Sequence, residues 1–166
     1  MKEKPAFIKY VVIIFPLIFL WAGLNFERNN YPNDPEYIYL MNALCICDGQ
    51  SVGHIDNPGT TLMQIGAATI GIKHLISNPN NETIVEQVLK TPNEFIEGIR
   101  KVIVVLNTIF LLLLGWIVFR KTRSIWPVLL LQACTFLSAY VLETTWAKLS
   151  PEPLLFFVTG IYVLLV

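Results

Sequence analysis

Three uncharged apolar runs set the limits on how this chain can fold. Tyr10 to Phe26, Val102 to Phe119 and Ile125 to Leu142 contain no Asp, Glu, Lys or Arg, and each is 17 or 18 residues long. A helix of that length just reaches across the hydrocarbon core of a bilayer. Pro153 to Val166 is a fourth apolar run. Composition agrees, since 14% of residues are charged against about 25% in a soluble domain. The sequence therefore predicts an all-α membrane protein, a single membrane domain over 1–166. About four transmembrane helices are expected, near 8–26, 102–119, 125–142 and 153–166. The first run exceeds the usual signal-peptide core, and no small-residue cleavage site follows Leu24, so a retained anchor is expected.

Charge placement orients the spans. Lys2, Lys4 and Lys9 precede the first, and Arg120, Lys121 and Arg123 fill the turn between the second and third. The positive-inside rule puts both groups, and the N-terminus, in the cytoplasm. The loop over 25–100 then faces outward, to the periplasm if the membrane is a bacterial inner membrane or to the lumen if it is the endoplasmic reticulum. That loop is acidic, whereas the whole chain has a net charge of zero and shows no basic surplus to attract nucleic acid.

Two short helices are expected inside this outer loop. Pro35–Cys47 follows Asp34 as N-cap, with Pro35 at the first helical position and Asp48-Gly49-Gln50 as a closing turn. Thr60–Ile76 follows Pro58-Gly59, and Thr61-Leu-Met-Gln64 matches a capping box. Gly66, Ala67, Ala68 and Gly71 would let this second helix lie close against its neighbours at the interface. Glu82–Arg100 reads as a polar helical stretch, broken near Thr91-Pro92 and leading into the second span.

Three polar motifs stand at the outer ends of these elements. Asp34-Pro35-Glu36-Tyr37 lies just beyond the first span. Gly53-His54-Ile55-Asp56-Asn57-Pro58-Gly59-Thr60 leads into the second short helix. Ser150-Pro151-Glu152-Pro153 enters the fourth span. Together with the span layout they resemble the N-terminal part of the GT-C superfamily of membrane glycosyltransferases, which includes protein O-mannosyltransferases and aminoarabinose transferases. The first motif is similar to the acidic pair those enzymes carry after span one. The second is similar to their Gly-His-Pro-Pro or His-Pro-Gly-Thr signature. Here the acidic pair is split by Pro35, and Asn57 stands where the His of the His-Pro variant would sit. The family has eight or more spans, so this chain would be its N-terminal portion; the apolar run ending at Val166 without a closing charge fits that expectation.

The resemblance implies transfer of a sugar from a polyprenyl-phosphate donor, with inversion, to an acceptor on the outer face. The acceptor hydroxyl must lose its proton as it attacks, which calls for a carboxylate general base close outside a span. Asp34 and Glu36 are the candidates. His54, Asp56, Pro58, Gly59 and Thr60 would shape the substrate cleft. A divalent metal ion or basic side chains would offset the leaving phosphate's charge, and Glu36, Asp56 or Glu152 could hold such a metal. Each residue also has a structural reading: capping for Asp34, complementing a helix N-terminus for Glu152, surface hydrogen bonding for His54. Ser150 would cap the fourth span. Cys45, Cys47 and Cys134 read as small packing residues, and Trp21, Trp126 and Trp146 as interfacial anchors. The alternative to an enzyme is a small non-catalytic membrane interaction or assembly subunit whose outer loop docks another protein.

Overall fold

The computed structural model describes residues 7–27, 34–53, 59–77 and 82–165. Regular structure among them is entirely helical. In chain order it comprises α1 (Phe7–Leu24), α2 (Asp34–Cys47), α3 (Thr60–Ile76), α4 (Ile84–Lys90), α5 (Pro92–Thr122), α6 (Trp126–Leu137), α7 (Ala139–Leu142), a π-helical turn (Glu143–Ala147) and α8 (Glu152–Leu165). These form two compact units. One contains Asn29–Val102 and Lys148–Pro151, and the other contains Met1–Arg28, Ile103–Ala147 and Glu152–Val166.

The unit built on the outer loop is organised by α2 and α3, which pack along their length. A Cβ added to Gly59 would lie 2.6 Å from the Tyr39 ring, one on Gly66 would lie 2.8 Å from the Ala43 Cβ, and one on Gly71 would lie 3.5 Å from Cys47 Sγ. Contacts thus advance in the same direction on both helices, so α2 and α3 run parallel with their N-termini at one end. The small residues expected to permit close approach do so at Gly66, Ala67 and Gly71, whereas Ala68 is exposed. The chain leaves α2 through Gly49, whose φ of 72° is the left-handed conformation that glycine adopts without a Cβ penalty.

The first turns of α5 complete this unit with buried Phe95, Ile96 and Ile99. Tyr37 Oη donates to Asn93 Oδ1 at 3.3 Å. Lys73 pairs with Glu94 at 3.3 Å while its Nζ sits 4.3 Å over the Phe95 ring. The break at Thr91-Pro92 falls where expected. The capping box does not: α3 starts at Thr60, but Gly59 is its N-cap and supplies no side-chain hydrogen bond. Thr61 is already inside the helix, so its hydroxyl cannot take the cap role. A complete box forms instead at α4, where Thr83 and Glu86 satisfy each other's backbone N–H groups.

In the other unit, α1 carries Pro16 in its interior. The missing N–H deprives the Val12 carbonyl of its helical donor. Gln132 Nε2 from α6 donates to that carbonyl at 3.0 Å. Gly115 on α5 provides the space, since any Cβ there would collide with the Gln132 amide. Beside this contact, Phe19, Phe26 and Phe136 gather around Trp146, with ring centroids 5.4, 6.2 and 6.3 Å from the indole. Trp146 is therefore a packing residue rather than an interfacial anchor, while Trp21 and Trp126 are exposed. Cys134, expected to be packed, is exposed as well.

Among the described residues one helix, Pro92–Thr122, is long and apolar enough to cross a membrane. A second qualifies if Trp126–Leu137 and Ala139–Ala147, bent by 73° at Ser138, count as one. Four full-length spans is therefore more than these helices show by length and composition. The apolar run from Ile125 to Leu142 hides the bend, which Ser138 makes by capping a new helix: its Oγ accepts from Val141 N at 3.3 Å.

Candidate functional site

Asp34 opens α2, and Pro35 follows it in the first turn, where no intrahelical donor is needed. Glu36 is buried, at 2% exposure. Its Oε1 accepts from the Leu149 backbone N–H at 2.8 Å. That N–H is itself inaccessible, and a buried amide left unpaired would be costly. One acid of the split pair is thus committed to fixing Lys148–Pro151 against the start of α2.

The second motif returns to the same helix. Gly59 is buried against the side chain of Tyr39, just under one turn past Glu36, and Thr60 opens α3 as an exposed residue. His54, Asp56 and Pro58 lie outside the described residues. Because α2 and α3 are parallel, their two N-termini present partial positive charge at one end of the unit. Glu36, in the first turn of α2, offsets part of that charge. An end with two helix N-termini also suits a phosphate group.

The third motif contributes in part. Leu149 is drawn to Glu36, and the buried Ser150 Oγ makes no hydrogen bond among the described residues, so Ser150 does not cap the following helix. Glu152 is the first residue of α8, is exposed, and belongs to the other compact unit. Among the described residues no three His, Cys, Asp or Glu side chains converge to hold a metal ion.

Arg100 belongs to none of the three polar motifs. It is fully buried and held in a two-point ion pair by Glu97, with Nε donating to Oε2 at 2.7 Å and Nη2 to Oε1 at 2.5 Å. The i to i+3 spacing of Glu97 and Arg100 on a helix was the available signal. His74 Nδ1 is hydrogen-bonded to Gln87 Oε1 at 2.8 Å, a tie between α3 and α4. The Cys47 thiol is pushed above its ordinary pKa by burial and by the neighbouring Asp48 charge, which disfavours the reactive thiolate.

No protein-family model matches the chain, and no curated protein or solved structure matches it either.

Proposed function

We propose that this chain is the N-terminal portion of a membrane glycosyltransferase of the GT-C type, moving a sugar from a polyprenyl-phosphate donor to an acceptor hydroxyl on the outer face. The observation that carries this reading is the parallel packing of α2 and α3. It sets the helix starts belonging to two separate polar motifs at the same end of one unit, Asp34-Pro35-Glu36 and Gly59-Thr60. A structural loop has no need of that convergence. In this reading α1, α5, the bent α6–α7 pair and α8 are four membrane crossings, and the α2–α3 unit lies at the outer surface.

Asp34 is the general base. Its carboxylate takes the proton as the acceptor oxygen attacks the anomeric carbon. The bond from that carbon to the phosphate oxygen breaks with its electron pair on the phosphate, and the configuration inverts. Glu36 is the weaker candidate because burial and the Leu149 N–H occupy it. The paired helix N-termini favour the donor and leaving phosphates, and the family resemblance gives the Gly53–Thr60 motif a share in substrate binding.

Membranes containing the full-length gene product, given polyprenyl-phosphate donors with radiolabelled sugars, are expected to move label onto a hydroxyl acceptor. If no such donor supports transfer, and the protein instead purifies in fixed ratio with another membrane protein, it is an assembly subunit.

A further inference from the structure

The 73° bend at Ser138 borders a pocket of about 770 Å³ in the unit that holds α6, α7 and α8. Thr135 lines it before the bend and Val141 after it, while α8 contributes Leu155 and Gly160. Leu114 of α5 closes the deep end, where a Cβ added to Gly160 would lie 3.4 Å from its Cδ1. Glu152 also lines the pocket, eight residues before Gly160 on the same helix and so about 12 Å away along its axis. The pocket therefore joins a carboxylate at the start of α8 to an apolar interior.

Charge and exposure indicate the occupant. None of the described residues lining the pocket is basic. Glu152 is exposed and takes part in no hydrogen bond or ion pair among the described residues. Complementing the α8 N-terminus does not require a place in a pocket wall. The mouth is bordered by Tyr140 and Leu155, which are 61% and 67% exposed. In a unit that lies within a membrane such a mouth opens to lipid, with the tyrosine near the headgroups.

We propose that this pocket binds a phospholipid whose headgroup carries a primary ammonium. The ammonium donates to the Glu152 carboxylate, and one acyl chain passes Leu155 towards Leu114 and Gly160. Charge complementarity selects this occupant. A choline headgroup has no N–H to donate, and a glycerol headgroup brings an anionic phosphate to the carboxylate with no cation between them. The volume suits a bound lipid segment, since small-ligand pockets span about 300–1,000 Å³. The inference rests on this unit lying in a membrane and is independent of glycosyl transfer. Resistance to carbonate extraction tests that premise separately, and a chain released by carbonate overturns both.

The binding test is photocrosslinking. The full chain is placed in nanodiscs of phosphatidylcholine doped with phosphatidylethanolamine or phosphatidylcholine bearing the same diazirine acyl chain, and adducts are located by peptide mass spectrometry. Phosphatidylethanolamine is expected to label the pocket segments 131–141 and 154–160. Its yield there should be about five-fold above that of phosphatidylcholine, the upper range for one exposed charge pair. Glu152→Gln keeps the shape of the side chain and removes its charge, so it should bring the two lipids to parity. Glu152→Asp keeps the charge and should retain a preference. Equal yields from both lipids in the parent chain overturn the proposal. So does a preference that persists undiminished in Glu152→Gln. An absence of adducts from either lipid on these segments also overturns it, the result expected if a second copy or another protein's helix fills the pocket.

Discussion

Glu36 Oε1 accepts the backbone N–H of Leu149 at 2.8 Å, across 113 residues of sequence. The contact gives the two acids of the split pair different work. Glu36→Ala should lower stability by about 1–3 kcal/mol, the cost of a buried donor left unsatisfied. Glu36→Gln keeps an oxygen that can accept and should lose less. Thermal unfolding of the two purified variants distinguishes them, and equal losses would mean that the contact matters only through its charge.

The approach of α3 to α2 depends on Gly59. Gly59→Ala places a methyl 2.6 Å from the Tyr39 ring, which is buried at 5% exposure and cannot swing into solvent. Overpacking of this kind costs about 1–3 kcal/mol. Adding Tyr39→Leu should recover part of the loss, so the double variant should be more stable than the sum of the single changes predicts. Strict additivity in unfolding experiments would contradict the packing described.

Much of this unit was readable before the fold. Pro58-Gly59 before an apolar run fixed the start of α3, and Thr91-Pro92 marked the break before α5. What could not be read is the pairing of elements. The parallel course of α2 and α3 depends on Gly59 meeting Tyr39 and Gly66 meeting Ala43, with a long connection between them, and nothing local in either helix specifies a parallel partner. The Leu149 N–H that occupies Glu36 is a backbone demand, invisible in side-chain patterns. The bend at Ser138 was missed for a related reason: hydropathy measures an apolar run and does not register one hydroxyl that restarts a helix within it. The α3 box failed because motif spacing alone does not fix which residue is the N-cap.

Pro16 and Gln132 should be energetically coupled. Gln132→Leu leaves the Val12 carbonyl without a donor, and the loss should approach about 1 kcal/mol or more. In Pro16→Ala, residue 16 regains an N–H for that carbonyl, so Gln132→Leu should cost less there. A double-mutant cycle by unfolding is the measurement. A loss of the same size in both backgrounds would show that Gln132 serves some purpose other than replacing the proline's missing hydrogen bond.

The α4 capping box carries a pH dependence. The Thr83 backbone N–H and hydroxyl hydrogen-bond to the Glu86 carboxylate, and with the Lys90 charge they hold its pKa below the ordinary carboxylate range. A depressed folded-state pKa means the contribution is present above the unfolded value, near about 4.3, and is lost as pH falls through the folded one. Amide exchange at Thr83 and along the first turn of α4 should therefore lose protection on acidification through that window, after correction for intrinsic exchange. Glu86→Gln should flatten the dependence. Retained protection at low pH in the parent chain would place the cap's strength in the Thr83 hydroxyl alone.

The assignment of Asp34 as general base is tested most directly by sugar transfer in Asp34→Asn. Asn matches Asp in size and keeps a polar side chain at the first position of α2, so folding and membrane insertion should survive. Loss of the basic oxygen should reduce turnover by roughly 10²–10⁴. Labelled-sugar transfer from a polyprenyl-phosphate donor is followed in Asp34→Asn and Glu36→Gln, both made in the full-length gene product and matched for folded protein. The account predicts collapse of turnover in Asp34→Asn and, in Glu36→Gln, a change no larger than its loss of stability explains. Near-normal turnover in Asp34→Asn would contradict it, whichever way Glu36→Gln behaves.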